Sequence, residues 1–341
     1  MKKVLVFLAA FFWCASAFAG QGVLYFYNWS EYIPDSVLAQ FTKETGIKVV
    51  YTTYDSNEVL YAKIKIMDGK GYDVAVPSTY FVNKMRREGL LAPIDKALLP
   101  NFKNLDPKLL DRPFDPKNEY SVPYMWGTTG IGVNAKKVAP ETMASWKDLW
   151  KPELRGRVLL QNDPREVLGV GLKVRGYSLN DTDPAHIEQA YQELLGLMKN
   201  VRLFNSESPK MPFLNGEVDA GMIWNGEAYQ AGQENPDIRY IYPKEGVIIW
   251  MDSMVIPKNA RNVKNAHTFI NFLLRPEIAA AISEEVGYAT PNKAALVLLP
   301  KEIRENTTVY PAEKDLEKGE FQLDVGPAIT VYEKFWEKLK A

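Results

Sequence analysis

The sequence predicts an α/β fold in two domains, with parallel sheet covered by helices on both faces. Three observations lead there. Strand-like and helix-like runs alternate over residues 23–89, the pattern of βαβ units. A second α/β succession opens near residue 145. The chain, at 341 residues, is longer than one hydrophobic core usually supports.

Taken in order, VLYFYN (23–28) reads as a buried first strand, and PDSVLAQFTKETG (34–46) as a helix with Pro34 near its first position and Gly46 just past its end. IKVVYTTY (47–54) and YDVAVPS (72–78) read as the next strands, NEVLYAKIKIMDG (57–69) and TYFVNKMRREG (79–89) as the helices that follow them. SVPYMWGTTGIGVNAKKV (121–138) reads as extended chain broken by glycines, suited to crossing between domains. After SWKDLW (145–150) come a strand at 156–162 and helices at 164–178 and 185–200. Strand-like stretches follow at 221–226 and 238–257, then helical character at 265–287 and 328–341.

The first residues have another purpose. Lys2 and Lys3 precede an apolar run over residues 4–16, and Ala17-Phe18-Ala19 has the small-x-small form of a cleavage site, so residues 1–19 are expected to be an export signal cut before Gly20. The run is shorter than the roughly 20 residues of a membrane span. Cys14 offers a lipoprotein alternative, but bulky Phe12 and Trp13 precede it. It is the sole cysteine, so the exported chain, expected in a bacterial periplasm, would form no disulfide. No basic stripe suggests nucleic acid.

In open parallel sheets, ligands sit beyond the carboxyl ends of strands. That rule selects Asn28–Tyr32, Ser78–Tyr80, Asn162–Glu166 and Trp224–Glu227, which are also chemically unusual. Two Trp-x-acid patterns occur, Trp29-Ser30-Glu31 and Trp250-Met251-Asp252. In extended chain, residues i and i+2 share a face. Each pair would set an indole plane beside a carboxylate, which suits an ammonium group on an aliphatic stem. The alternative is two core tryptophans beside solvated acids.

NDPREV (162–167) has two readings as well. Asp163 is a good N-cap, Pro164 a good first residue, and Glu166 has capping-box spacing. Equally, two carboxylates crowd one helix start, and a cap uses only one oxygen of Asp163. DSNE (55–58) shares the Asp-x-x-Glu form, and Ser78 is expected to cap the helix that holds Tyr80. Bare helix starts favour anions, but Glu31, Asp163, Glu166 and Asp252 argue for a cation, and Arg165 is the one base adjacent to any of them.

Catalytic and metal motifs are missing from the sequence. His186 and His267 lie in helical patterns away from the strand ends, and no nucleophile elbow, phosphate loop or zinc motif appears. No cofactor and no metal are expected. Paired acids among aromatics leave a glycosidase as the enzyme alternative.

The segments NWSEYIP, QFTKETGIKV, YDVAVPSTYFV, SWKDLWKPE, DPREV, GMIWNG, WMDSMVIP, INFLLRPE and VGYATPN, in that order, resemble the periplasmic spermidine/putrescine-binding proteins of bacterial ABC importers. The resemblance runs from about residue 23 to the C-terminal helix. It implies a type II periplasmic binding fold: two α/β lobes, a central cleft and crossing hinge strands. Lobe one would hold residues 20–130 plus 253–300, and lobe two residues 131–252 plus 301–341. It also implies a ligand set of Trp29, Ser30, Glu31, Tyr32, Ser78, Tyr80, Asp163, Glu166, Ser206, Trp224, Trp250, Asp252, Tyr288 and Gln322. Ser30 stands where the family has threonine and keeps the hydroxyl. The implied partners are a polyamine and, by docking, a membrane permease, with the binding protein a monomer and not an enzyme. A periplasmic polyamine sensor would share this pocket chemistry, and a carrier of another solute would share the fold.

Overall fold

The computed structural model describes residues 22–341. The expected export signal and Cys14 lie outside the described residues. Eleven strands form one continuous sheet: β1 (Val23–Trp29), β2 (Lys48–Tyr54), β3 (Val74–Ala75), β4 (Leu91–Ala92), β5 (Ser121–Asn134), β6 (Val158–Leu160), β7 (Val201–Phe204), β8 (Ala220–Trp224), β9 (Ile238–Ile241), β10 (Ile248–Pro257) and β11 (Glu320–Phe321). The main path runs β2-β1-β3-β10-β5-β8-β6-β7. Both flanks are parallel as predicted: β1 pairs with β2 and β3, and β6 with β7 and β8. The centre departs from the prediction, because β10 and β5 run antiparallel to each other and to their neighbours β3 and β8 on this path. Such a centre lets the chain cross from one parallel flank to the other and return.

The cores explain the crossing. On one flank, Leu24 and Phe26 of β1 pack with Phe41 and with Phe269 of the helix Val263–Leu273. The other face of β1 sets Tyr27 against Tyr54 and Tyr72, with Leu60 and Ile64 beneath. Tyr25, expected inside, is 40% exposed. On the other flank, Trp146, Val158, Leu160, Leu168 and Leu194 gather around Tyr332 and Phe335 of the terminal helix Ile329–Lys340. Strand β5 gives Val122 and Met125 to the first group, then Ile131 and Val133 to the second. Strand β10 gives Ile248 to the second and Met254 and Ile256 to the first. Each fully buried side chain of this size contributes about 1.5–3 kcal/mol, so both strands are held at both ends.

Helix boundaries follow local chemistry. The helix Asp35–Thr45 ends at Gly46, which has φ 70° and returns its N–H to Thr42, the left-handed stop that glycine permits. Pro34 occupies the N-cap and not the first turn. The predicted 265–287 stretch is two helices, Val263–Leu273 and Pro276–Val286, because Pro276 cannot continue the first one. The strand-like stretch 238–257 holds β9 and β10, separated by the turn at Pro243 and Gly246. Among the described residues, no helix is long and apolar enough to cross a membrane.

One close approach shapes the crossing. A Cβ on Gly127 of β5 would lie 2.3 Å from Asn225 Oδ1 and 2.6 Å from the Trp250 ring. Glycine there lets Trp250 lie against the backbone of β5. Gly127→Ala is expected to lower stability by about 1–3 kcal/mol, the usual cost of overpacking. Urea unfolding measures it, and an unchanged midpoint would remove this packing constraint.

Candidate functional site

The carboxyl ends of β1, β3, β6 and β8 converge on one cleft. The two core groups flank it, and β10 runs along it. Asp252 and Trp250 of β10 face it together, as the i, i+2 spacing predicts. The carboxylate of Asp252 accepts from Tyr32 Oη at 2.8 Å and from Ser78 Oγ at 2.6 Å. Asn57 holds Ser78 in turn: it accepts the Ser78 N–H at 3.0 Å and donates to the hydroxyl at 3.1 Å. Burial raises the Asp252 pKa to about 7, opposed by these two hydrogen bonds.

Ser78 stands at the N-cap of the helix Thr79–Arg87, but its hydroxyl makes no cap bond. The hydroxyl is aimed at Asp252 instead, so the expected capping role is corrected. The Asp-x-x-Glu reading of residues 55–58 is corrected too. Ser56, not Asp55, caps the helix Asn57–Ile66, accepting the Val59 N–H at 3.3 Å. Asp55 is left lining the cleft.

Across the cleft, Asp163 caps the helix Pro164–Val174. Its Oδ1 accepts the N–H groups of Arg165 at 2.7 Å and Glu166 at 2.9 Å. Both readings of NDPREV hold, since Asp163 also lines the cleft. The capping-box half does not form. Glu166 turns its Oε1 to the Thr129 hydroxyl at 2.9 Å, and its buried Oε2 has no protein partner. Burial, then the Asp163 charge, raises the Glu166 pKa to about 8. Asp163 is raised in the same direction by burial, against its two backbone N–H donors.

The aromatic walls are edge-to-face. Tyr288 meets Tyr32 and Trp250, each at 5.4 Å between ring centroids, and Trp29 meets Trp224 at 6.5 Å. Trp29 is fixed by its Nε1–H to the Val76 carbonyl at 3.0 Å. Ser30, Ser206 and Gln322 complete the predicted set along the cleft. Ser206 donates to Gln161 at 3.0 Å, whereas the buried Gln322 Nε2 and Trp250 Nε1 have no partner. Buried polar groups normally find a hydrogen bond. Three orphans lining one cleft (Glu166 Oε2 is the third) point to a polar ligand.

Two predicted residues behave differently. Glu31 does not share an extended face with Trp29, because β1 ends at Trp29 and Glu31 has φ 50°. Its side chain is 68% exposed and reaches the rim, 3.5 Å from Lys210 Nζ. Tyr80 does not line the cleft. It is buried, its ring under the Arg165 guanidinium at 5.3 Å and its hydroxyl on the side of Asp163. Arg165 itself is fully buried and gives its hydrogen bonds elsewhere, to the Leu323 carbonyl at 2.9 Å and to Asn180 at 3.1 Å, so it lowers the acids' pKa by charge alone.

Sequence reasoning missed Tyr54, Asp55 and Asn57 at the end of β2, and Glu207 and Glu227 opposite. The strand-end rule would have reached β2 had it been applied to every strand, and Glu227 lay within the range it selected. Burial raises the Glu227 pKa, with Lys210 opposing.

Residues 36–311 match the family described as bacterial extracellular solute-binding protein. The spermidine/putrescine-binding periplasmic protein of Escherichia coli is 54% identical over 93% of this chain and 91% of its own length. Spermidine/putrescine-binding periplasmic protein 1 of Haemophilus influenzae is 44% identical over 95% of this chain and 90% of its own. A solved spermidine/putrescine ABC transporter substrate-binding protein of Streptococcus pneumoniae superimposes with a TM-score of 0.81 at 40% identity, covering 94% of this chain and 99% of that one.

A carboxyl whose pKa rises on folding favours the folded state when protonated. That contribution is complete below the unfolded value near 4.5 and is lost as pH rises through about 8 for Glu166. The stability of the empty wild type relative to Glu166→Gln should therefore fall as pH rises from about 4.5 to about 8, by at least about 1 kcal/mol, the worth of roughly one pKa unit. Parallel curves of melting temperature against pH would show that Glu166 titrates normally.

Proposed function

The chain belongs to the bacterial extracellular solute-binding protein family, and from that membership and the acid-lined cleft we propose that it captures spermidine or putrescine in the periplasm and hands it to an ABC permease. The family's proteins are solute-binding proteins and not enzymes, so the glycosidase alternative falls. We assign residues 20–130 plus 253–300 to one lobe and 131–252 plus 301–341 to the other, with β5 and β10 as hinge strands, in a monomer that docks on the membrane complex.

One observation carries the reading: Glu166 and Asp252 are buried, face one cleft, and have no cationic partner in hydrogen-bond contact. A lone buried carboxylate costs several kcal/mol. A polyamine supplies what is lacking, because its amines are protonated at neutral pH. Its ammonium groups would pair with Asp252 on one side and with Asp163 and Glu166 on the other. Each charge-assisted hydrogen bond contributes about 1.5–3 kcal/mol net. Its methylenes would lie along Trp29, Trp224, Trp250 and Tyr288. The lobes would open to admit it and close once the acids are neutralised.

Calorimetric titration tests the reading. Asp252→Asn should weaken polyamine affinity 10- to 100-fold, about 1.4–2.8 kcal/mol, and unchanged affinity would remove Asp252 from the site. For the wild type, spermidine at about 100 times its dissociation constant should stabilise the fold by about 2.7 kcal/mol. If neither spermidine nor putrescine raised the melting temperature at millimolar concentration, the polyamine reading would be lost.

A further inference from the structure

The rim of the cleft holds an ammonium group that belongs to the protein. Lys210 opens the short helix Lys210–Leu214, after Pro209. Its side chain is only 14% exposed, and Nζ stands 3.5 Å from Glu31 Oε2 and 2.5 Å from Gln230 Oε1. Gln230 cannot readily turn away, because its Nε2 donates to the Val286 carbonyl at 2.9 Å. The backbone N–H of Lys210 donates to Glu227 Oε2 at 3.2 Å. The lysine is thus seated between two cleft acids by three contacts, whereas most surface lysines extend into water.

The two sides of this contact come from different core groups. Glu31 follows β1 and lies beside Tyr32 and Ile33 of the first core group, while Lys210 is followed by Phe213, which packs with Leu159 of β6 and Ile223 of β8. The pair therefore bridges the cleft at its mouth. It also places a positive charge at one end of a ligand channel whose other acids, Asp252, Asp163 and Glu166, are free of lysine contacts among the described residues.

We infer that Lys210 sets which polyamine the site prefers, by occupying with its own ammonium the place beside Glu31 and Gln230 that the third amine of a triamine would take. This inference rests on the polyamine reading. A diamine needs only the inner acids and leaves the Lys210–Glu31 contact intact. A triamine brings a third positive charge to the rim, where it meets Lys210 and must displace it from Glu31. Like charges at such range repel in a partly desolvated setting, so the lysine shifts selection towards the shorter ligand.

The test is calorimetry with putrescine and spermidine on the full chain and on Lys210→Gln, with circular dichroism and melting to verify folding. Lys210→Gln should raise the ratio of spermidine to putrescine affinity about tenfold. Adding Glu31→Gln should then cost the Lys210→Gln variant more spermidine affinity than it costs the wild type, because only in the variant is Glu31 open to the ligand. An unchanged ratio, or equal loss of both affinities as expected of a simple interlobe latch, overturns the inference while leaving polyamine binding standing. Absence of binding by either amine to wild type and variant alike overturns the polyamine reading, and the inference with it.

Discussion

Asp252 and Glu166 lie where water scarcely reaches, and burial drives the pKa of each towards neutrality. Uncompensated negative charge in a low-dielectric place is costly, and much of the cleft can be understood as a response to it. Tyr32 and Ser78 donate to Asp252, and Thr129 donates to Glu166. Two backbone N–H groups at a helix start donate to Asp163, where the helix dipole also favours negative charge. These donors lessen the burden without removing it. A fixed arginine beside the acids would do so fully, and would leave nothing for a ligand to add. Arg165 instead gives its hydrogen bonds to carbonyls and lies against aromatic rings, so its charge acts on the acids without direct contact.

The scaffold that holds these acids is rigid where it must be. Asn57, Ser78 and Asp252 form a short hydrogen-bonded relay that joins the end of β2, the end of β3 and the middle of β10. The bridge between Ser78 and Asp252 is also a backbone pairing, so side chain and main chain agree on the same geometry. Opposite, the segment after β11 carries Gln322 to the cleft. It is tied by Lys173 to Glu320 at 2.7 Å and by Asn180 to the Phe321 carbonyl at 2.8 Å. Groups held this way need little reordering when a ligand arrives, which favours affinity.

The parallel flanks and the meeting of strand ends were legible from alternation and from the strand-end rule. Asp163, Glu166 and Trp224 reached the cleft on that basis, and Trp250 and Asp252 through their Trp-x-acid spacing. What escaped had physical reasons. The antiparallel centre arises from β5 and β10, whose pairing spans over a hundred residues, and periodicity carries no trace of it. The turn at Glu31 defeats an i, i+2 argument because the strand ends at Trp29. Ser78 looks like a cap in sequence, and only its distance to Asp252 shows otherwise. Tyr80 has the right spacing for the cleft but is buried against Arg165. Lys210 lies 179 residues from Glu31, and nothing local announces their contact.

Strand β10 joins two duties that many proteins keep apart. The same ten residues (Ile248–Pro257) carry Trp250 and Asp252 and also cross between the two core groups, every one of them buried. A substitution there alters recognition and mechanical coupling in one stroke. Rim positions such as Ser30, Glu31 and Glu207 line the same cleft but belong to no core group, so a substitution there alters recognition and leaves the crossing strands as they are.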